Sequence, residues 1–455
     1  MRPSSISSSD ISSSDSDLES DYQTLDQTNR RRVVLRTLGA GVLLFGAVVL
    51  IYNGILQAIG DINGRVVAQL EHLPEIVAHN RDKRKVFVFG SSMVQAGFEP
   101  DTFDGAMADK GIDTISYNYG VGNLDPEFQV LIARRIREAF LEGDEQLALT
   151  LIEFNPFQAT RVRNRFGTIT RDQNVAVLSS VEELWRIALD DPTRGLRLFN
   201  IRYLRNGLSA ELITSIPRMF ASAGSAEARE RRAQIVATEE YQAAQERSAE
   251  LSARYRELRD TDVPITGSDQ WKAEIRGGRI DKSAFSPETL EALGAWMESR
   301  RYAGFMEVDL MRRVAGADIL ELEFEEALIE AFIELVIELD DVSDQIEVIL
   351  LPRNTEWVTY TPEVQERLNG VLRRIADETG VAVRDFQEHP AITPQYFFDT
   401  THLSTYDGID IFSRLLADEY ADVLSKSDEA EKISNAEPRE SRRAGVAGVA
   451  SQRQN

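Results

Sequence analysis

Short apolar runs alternate with amphipathic stretches through most of this chain. Residues 86–89, Val-Phe-Val-Phe, stop abruptly at Gly90-Ser91-Ser92. A run this short and this rich in Val and Phe predicts a buried strand. Residues 101–113 predict a helix ending at Gly111, and 114–119 a second strand opening into Gly120-Val121-Gly122-Asn123. A helix is expected from Pro126 to Glu142, with proline at its start, then a third strand over 147–154 ending in Asn155-Pro156. Strand, helix, strand, helix, strand implies crossover connections and a parallel sheet. The rhythm breaks over about 157–315. There, Arg161, Arg163, Arg165 and Arg171 mix with apolar residues, and 225–260 reads as a long charged helix or helical hairpin. This region is read as a mainly helical insertion covering one end of the sheet, either as packing or as a lid or docking surface. The pattern then resumes: helix 320–339, strand 346–351, helix 362–379 ended by Gly380, a short fifth strand 381–386 and a last helix 407–425.

The N-terminal pattern is different. Residues 1–29 are rich in Ser and Asp and hold too little apolar surface to fold, so 1–36 is read as a disordered tail with a basic flank at Arg30, Arg31, Arg32 and Arg36. Residues 38–51 carry no charge, and apolar character continues to Ile59. About 20 helical residues cross a bilayer, so 37–59 predicts a transmembrane helix, and the arginines place the tail in the cytoplasm and all that follows outside. A cleaved signal peptide is the rival, and Arg31-Arg32 also suits a twin-arginine export signal. Residues 60–84 read as a membrane-proximal stalk, with a break expected at Pro74. Residues 426–455 read as a second disordered tail.

Composition narrows the partners. The 455 residues include 51 basic and 75 acidic side chains, a net charge of −24. Nucleic acid, whose phosphates need a basic surface, is thereby disfavoured. With no cysteine, a thiol nucleophile, disulfide or zinc–thiolate site is impossible.

In a parallel sheet the loops at the carboxyl ends of the strands gather on one edge. Serine hydroxyls at Ser91 and Ser92 therefore share that edge with Gly122, Asn123 and Asn155. A serine attacks only when a base takes its proton and a third group orients that base. Of four histidines, His72 lies in the stalk, His79 before the first strand and His389 in a turn. His402 follows the last strand, three residues after Asp399, which is close enough to fix its tautomer. A lone Asp-x-x-His is otherwise an ordinary surface ion pair. Backbone N–H groups at Gly122 or Asn123 and the Asn155 amide suit an oxyanion, although tight turns and caps use the same residues. No Gly-x-Ser-x-Gly, complete Gly-x-Gly-x-x-Gly or Walker loop is present.

Taken together, Gly90-Ser91-Ser92, Gly120-Val121-Gly122-Asn123, Asn155 and Asp399-Thr400-Thr401-His402 resemble the SGNH hydrolases, also called the GDSL family. Ser92 matches the nucleophile, with Ser91 in place of the usual Asp. The oxyanion Gly falls at Gly122 or Asn123, Asn155 matches the side-chain donor, and Asp399 and His402 complete the fourth block. The resemblance covers 85–156 and 346–425 and omits the insertion. It implies a three-layer α/β sandwich with a five-stranded parallel sheet, a catalytic domain at 85–425, and no metal or cofactor. It also implies esterase or O-acyltransferase chemistry on an acyl ester, glycan or cell-wall polymer. A single anchor, an outside domain and Gly-Ser-Ser are similar to members that work with multispanning membrane acyltransferases. The alternative is a non-catalytic module of the same fold in a polysaccharide-modification complex.

Overall fold

Strands β1 (Arg84–Gly90), β2 (Thr114–Gly120), β3 (Leu149–Glu153), β4 (Ile346–Leu350) and β5 (Ala382–Asp385) form one wholly parallel sheet in the order β2-β1-β3-β4-β5. The structure is a computed structural model and describes residues 32–48, 69–122, 125–164, 172, 175–176, 178–204, 226–263 and 282–434. β1 and β3 show no alternation because both faces are covered: Val86 to Phe89 and Leu149 to Ile152 are all buried. β5, at the edge, is partly exposed.

Helices cover both faces. On one lie α1 (Ser92–Gly97), α2 (Pro100–Ala108) and, from the far end of the chain, α7 (Gly408–Ser434). Glu99 N donates to Ser413 Oγ at 2.8 Å and Lys110 pairs with Asp418 at 2.7 Å, tying α7 to this layer. The other face carries α3 (Pro126–Gly143), α5 (Glu326–Asp340) and α6 (Pro362–Thr379). Between sheet and helices, Phe87 stacks on Tyr119 at 4.5 Å and meets Phe140 edge-on at 5.5 Å. The chain leaves β1 towards one side of the sheet and later adds β3 on the other. The strand order therefore reverses at β1/β3, the kind of position at which doubly wound sheets bind ligands.

The insertion contributes its own helices. Glu239–Asp262 packs on Pro287–Arg300 around Tyr255, Phe285, Leu293 and Met297. Trp296 carries this small cluster to Phe398, with ring centroids 6.0 Å apart. The last insertion helix, α4 (Ala303–Ala317), crosses the expected boundary at 315 and packs against Ala226–Val236.

Several element ends differ from expectation. The helix expected from 320 begins only at Glu326, because Asp318 and Leu322 adopt left-handed backbone at φ 52° and 46°. The last helix runs to Ser434, nine residues past 425, since Glu, Ala and Lys in 426–434 favour helix. Part of the expected stalk is core. Leu73, Ile76 and Val77 of helix Leu73–Ala78 are buried in the main cluster; the expected break is present, with helix at 69–71 interrupted at His72 and Pro74 in the first turn of the segment that follows. Residues 32–48 are helical and expose Leu35, Leu38, Val42, Leu43, Leu44 and Phe45. The rest of the expected span 37–59 lies outside the described residues. Among the described residues no helix is long and apolar enough to cross a membrane.

Candidate active site

The turn after β1 is built by what its neighbours lack. A Cβ at Gly90 would come within 2.4 Å of Glu153 Oε2, and one at Gly120 within 2.2 Å of the Gln95 backbone nitrogen. These two glycines face each other in the β1–β2 register, so α1 can settle directly onto the strand ends. Buried Asn118 then clasps α1 from β2: its Nδ2 donates to the carbonyls of Val94 at 3.0 Å and Phe98 at 2.6 Å. Its Oδ1 accepts from Gly120 N at 2.9 Å.

The two serines face different ways. Ser91 is fully buried and caps α1, its Oγ accepting from Met93 N at 3.1 Å. It donates to Glu153 Oε1 at 3.0 Å and accepts from Asn155 Nδ2 at 2.8 Å, while its backbone N–H donates to Glu153 Oε2 at 2.6 Å. Ser92 is partly exposed, and its Oγ lies 2.9 Å from His402 Nε2. On the other side of the ring, His402 Nδ1 lies 2.8 Å from Asp399 Oδ2. A proton on Nδ1 donates to that carboxylate and leaves Nε2 as the acceptor facing Ser92.

Asp399 divides its oxygens by task. Oδ1 accepts the backbone N–H groups of Thr401 and His402, both at 2.8 Å, and so folds the loop. Oδ2 takes His402 Nδ1 and Arg313 Nη2, the latter at 3.1 Å. Burial alone would raise this carboxyl, but His402 and Arg313 outweigh it and hold Asp399 well below the usual range. Glu153 shows the opposite balance. Its burial exceeds the stabilisation from the Ser91 hydrogen bonds and His402, and pushes it up to about 7.

Ser92 thus meets Asp399 and His402, the latter 310 positions away in sequence, in one hydrogen-bonded series. The expected oxyanion donors are placed unequally. Gly122 stands beside the nucleophile candidate: a Cβ there would be 3.6 Å from Ser92 Cβ, and its N–H donates to Gln95 Oε1 at 3.1 Å. Asn155 directs Nδ2 at Ser91 rather than Ser92, and its Oδ1 accepts from Phe157 N at 3.0 Å. Asn123 lies outside the described residues. The remaining histidines make local contacts: His72 with Glu75, His79 with the Glu75 carbonyl, His389 with Ala391 N.

Three participants went unread in the sequence: Glu153, Arg313 and Asp309. Glu153 interrupts an otherwise uncharged buried strand end, a signal that could have marked it. Nothing local to Arg313 announces a partner 86 positions away. No group of three His, Cys, Asp or Glu side chains suited to a metal ion occurs among the described residues. The chain matches no protein-family model and no curated protein.

Proposed function

We propose that this protein is a serine-dependent acyl-ester enzyme of SGNH type, acting outside the cytoplasmic membrane as an esterase or as an O-acyltransferase on a glycan or cell-wall polymer. The observation that carries this reading is the series Ser92 Oγ, His402 Nε2, His402 Nδ1 and Asp399 Oδ2, with steps of 2.9 and 2.8 Å across the ring. Its position at the β1/β3 reversal is the place where such sheets bind ligands.

Ser92 Oγ attacks the ester carbonyl carbon while His402 Nε2 takes its proton, and Asp399 stabilises the imidazolium that forms. Gly122, beside Ser92, and Asn155, which donates to Ser91, are the described members of the expected oxyanion set. Collapse of the tetrahedral intermediate breaks the bond to the alcohol, which leaves with the proton from His402 and gives an acyl-Ser92 ester. Water or a sugar hydroxyl, deprotonated by His402, then attacks the acyl carbon; the bond to Ser92 Oγ breaks, His402 returns the proton to that oxygen, and the acid or the new sugar ester leaves. The exposed apolar side chains of 32–48 support anchorage through the 37–59 segment. One span cannot carry an acyl donor across a bilayer, so the transferase version calls for a multispanning partner.

Turnover of a short acyl ester by the full chain tests the reading. Ser92→Ala is expected to lower kcat by about 10³-fold or more. Unchanged turnover in that variant excludes Ser92 as nucleophile.

A further inference from the structure

The loop that carries Asp399 and His402 is gripped by a helix of the insertion. From α4, Arg313 Nη2 reaches Asp399 Oδ2 at 3.1 Å and lies 3.2 Å from His402 Nδ1. Its Nε donates to Asp309 Oδ2 at 2.7 Å, one turn back on the same helix. Asp309 also accepts from the Thr400 backbone N–H at 3.3 Å and from the Thr400 hydroxyl, and pairs with Arg312. The Asp-x-x-His loop is therefore fastened at two successive residues by side chains of one helix. Arg313, Asp309 and Asp399 are all largely shielded from water, where such contacts are strong and hard to replace.

We propose that Arg313 is a positioning residue of the active site, fixing the rotation of Asp399 and opposing protonation of His402 with a permanent positive charge. The assignment rests on the acyl-ester reading only where activity is measured. The charges facing the imidazole are Asp399 and Arg313 at contact distance, and Glu153 acting through space from β3. Asp309 offsets part of Arg313, and Arg312 offsets part of Asp309. Removing Arg313 leaves Asp399, Asp309 and Glu153 around the ring, balanced only by Arg312. The ionised carboxylates Asp399 and Asp309 favour the imidazolium, and Glu153 adds to them only above about pH 7, where it loses its proton. An imidazolium cannot accept the proton of Ser92, so activity would fail at a higher pH than in the native protein.

The test follows His402 directly by NMR of the full chain labelled with ¹⁵N-histidine, its signal identified as the one absent from His402→Gln. In Arg313→Met the midpoint of its titration lies above that of the native chain. The acid limb of kcat/KM for a short acyl ester rises with it, and Arg313→Lys recovers most of the shift. A folded Arg313→Met with an unmoved midpoint overturns the proposal, as does Arg313→Lys behaving like Met. Should Arg313→Met fail to fold, Arg313→Gln takes its place, and an unmoved midpoint in that variant overturns the proposal equally. A shifted midpoint in a chain with no ester turnover leaves Arg313 in its role and removes the acyl-ester reading instead.

Discussion

Ser91 and Ser92 are adjacent hydroxyls with separate surroundings, and Glu153 is the reason one of them is unavailable. Its carboxylate takes both the N–H and the O–H of Ser91, which leaves the Ser91 lone pairs for Met93 N and the Asn155 amide. Because burial raises Glu153 from its ordinary 4.5 to about 7, the folded protein holds a proton there that the unfolded chain gives up. The resulting stability is complete below about pH 4.5 and is lost as pH rises through about 7, a difference on the order of 3 kcal/mol. Asp399, held low, acts in a separate window: its contribution is present above about pH 4 and lost at lower pH. Denaturant unfolding from pH 4.5 to 8 should therefore show a fall in the native protein that Glu153→Gln lacks. Parallel curves for the two would mean that Glu153 does not titrate in that range. Ser92, Asp399 and His402 were singled out in the sequence because each is chemically distinctive, Ser92 just after β1 and the Asp-x-x-His pair in the loop between β5 and the last helix. Glu153 was not singled out, because sequence alone does not say whether a strand-end carboxylate meets water or a buried serine.

At the scale of elements, the site depends on how closely α1 approaches the sheet. Gly120 sits where a Cβ would strike backbone atoms, Gln95 N at 2.2 Å and Ser91 O at 2.8 Å, so no side-chain rotation relieves it. Gly120→Ala should cost about 2–3 kcal/mol and move α1 off its seat, lowering ester turnover as well. Gly105 in α2 has nothing within 4 Å of its would-be Cβ, so Gly105→Ala is expected to be neutral or slightly stabilising. Equal thermal stability of the two variants would contradict this account of the turn. The apolar runs announced the strands because both faces of β1 and β3 are covered and every position can be apolar. The strand order was less legible, since parallelism follows from the crossovers whereas the order depends on which edge each crossover reaches. The insertion was read as cover over one end of the sheet, with a functional role left open. Its helical pattern carried no sign that α4 would bring Asp309 and Arg313 to a loop near the other end of the chain.

For the whole molecule, the parallel sheet gathers residues from β1, β3 and the segment after β5 onto one edge, and α4 joins them from outside the alternating pattern. A net charge of −24 accompanies a strongly apolar segment near the N-terminus. If 37–59 anchors the chain as proposed, the full-length protein should remain with membranes through an alkaline carbonate wash and leave only with detergent. Recovery in the carbonate supernatant would contradict anchorage without touching the chemistry. That chemistry rests on Ser92 being the activated hydroxyl, and paired turnover of a short acyl ester by Ser92→Ala and Ser91→Ala tests it most directly. The expected result is a loss of about 10³-fold or more in Ser92→Ala and a far smaller loss in Ser91→Ala, whose His402 and Asp399 are untouched. Turnover that survives in Ser92→Ala, or that vanishes only in Ser91→Ala, would contradict the assignment of the nucleophile.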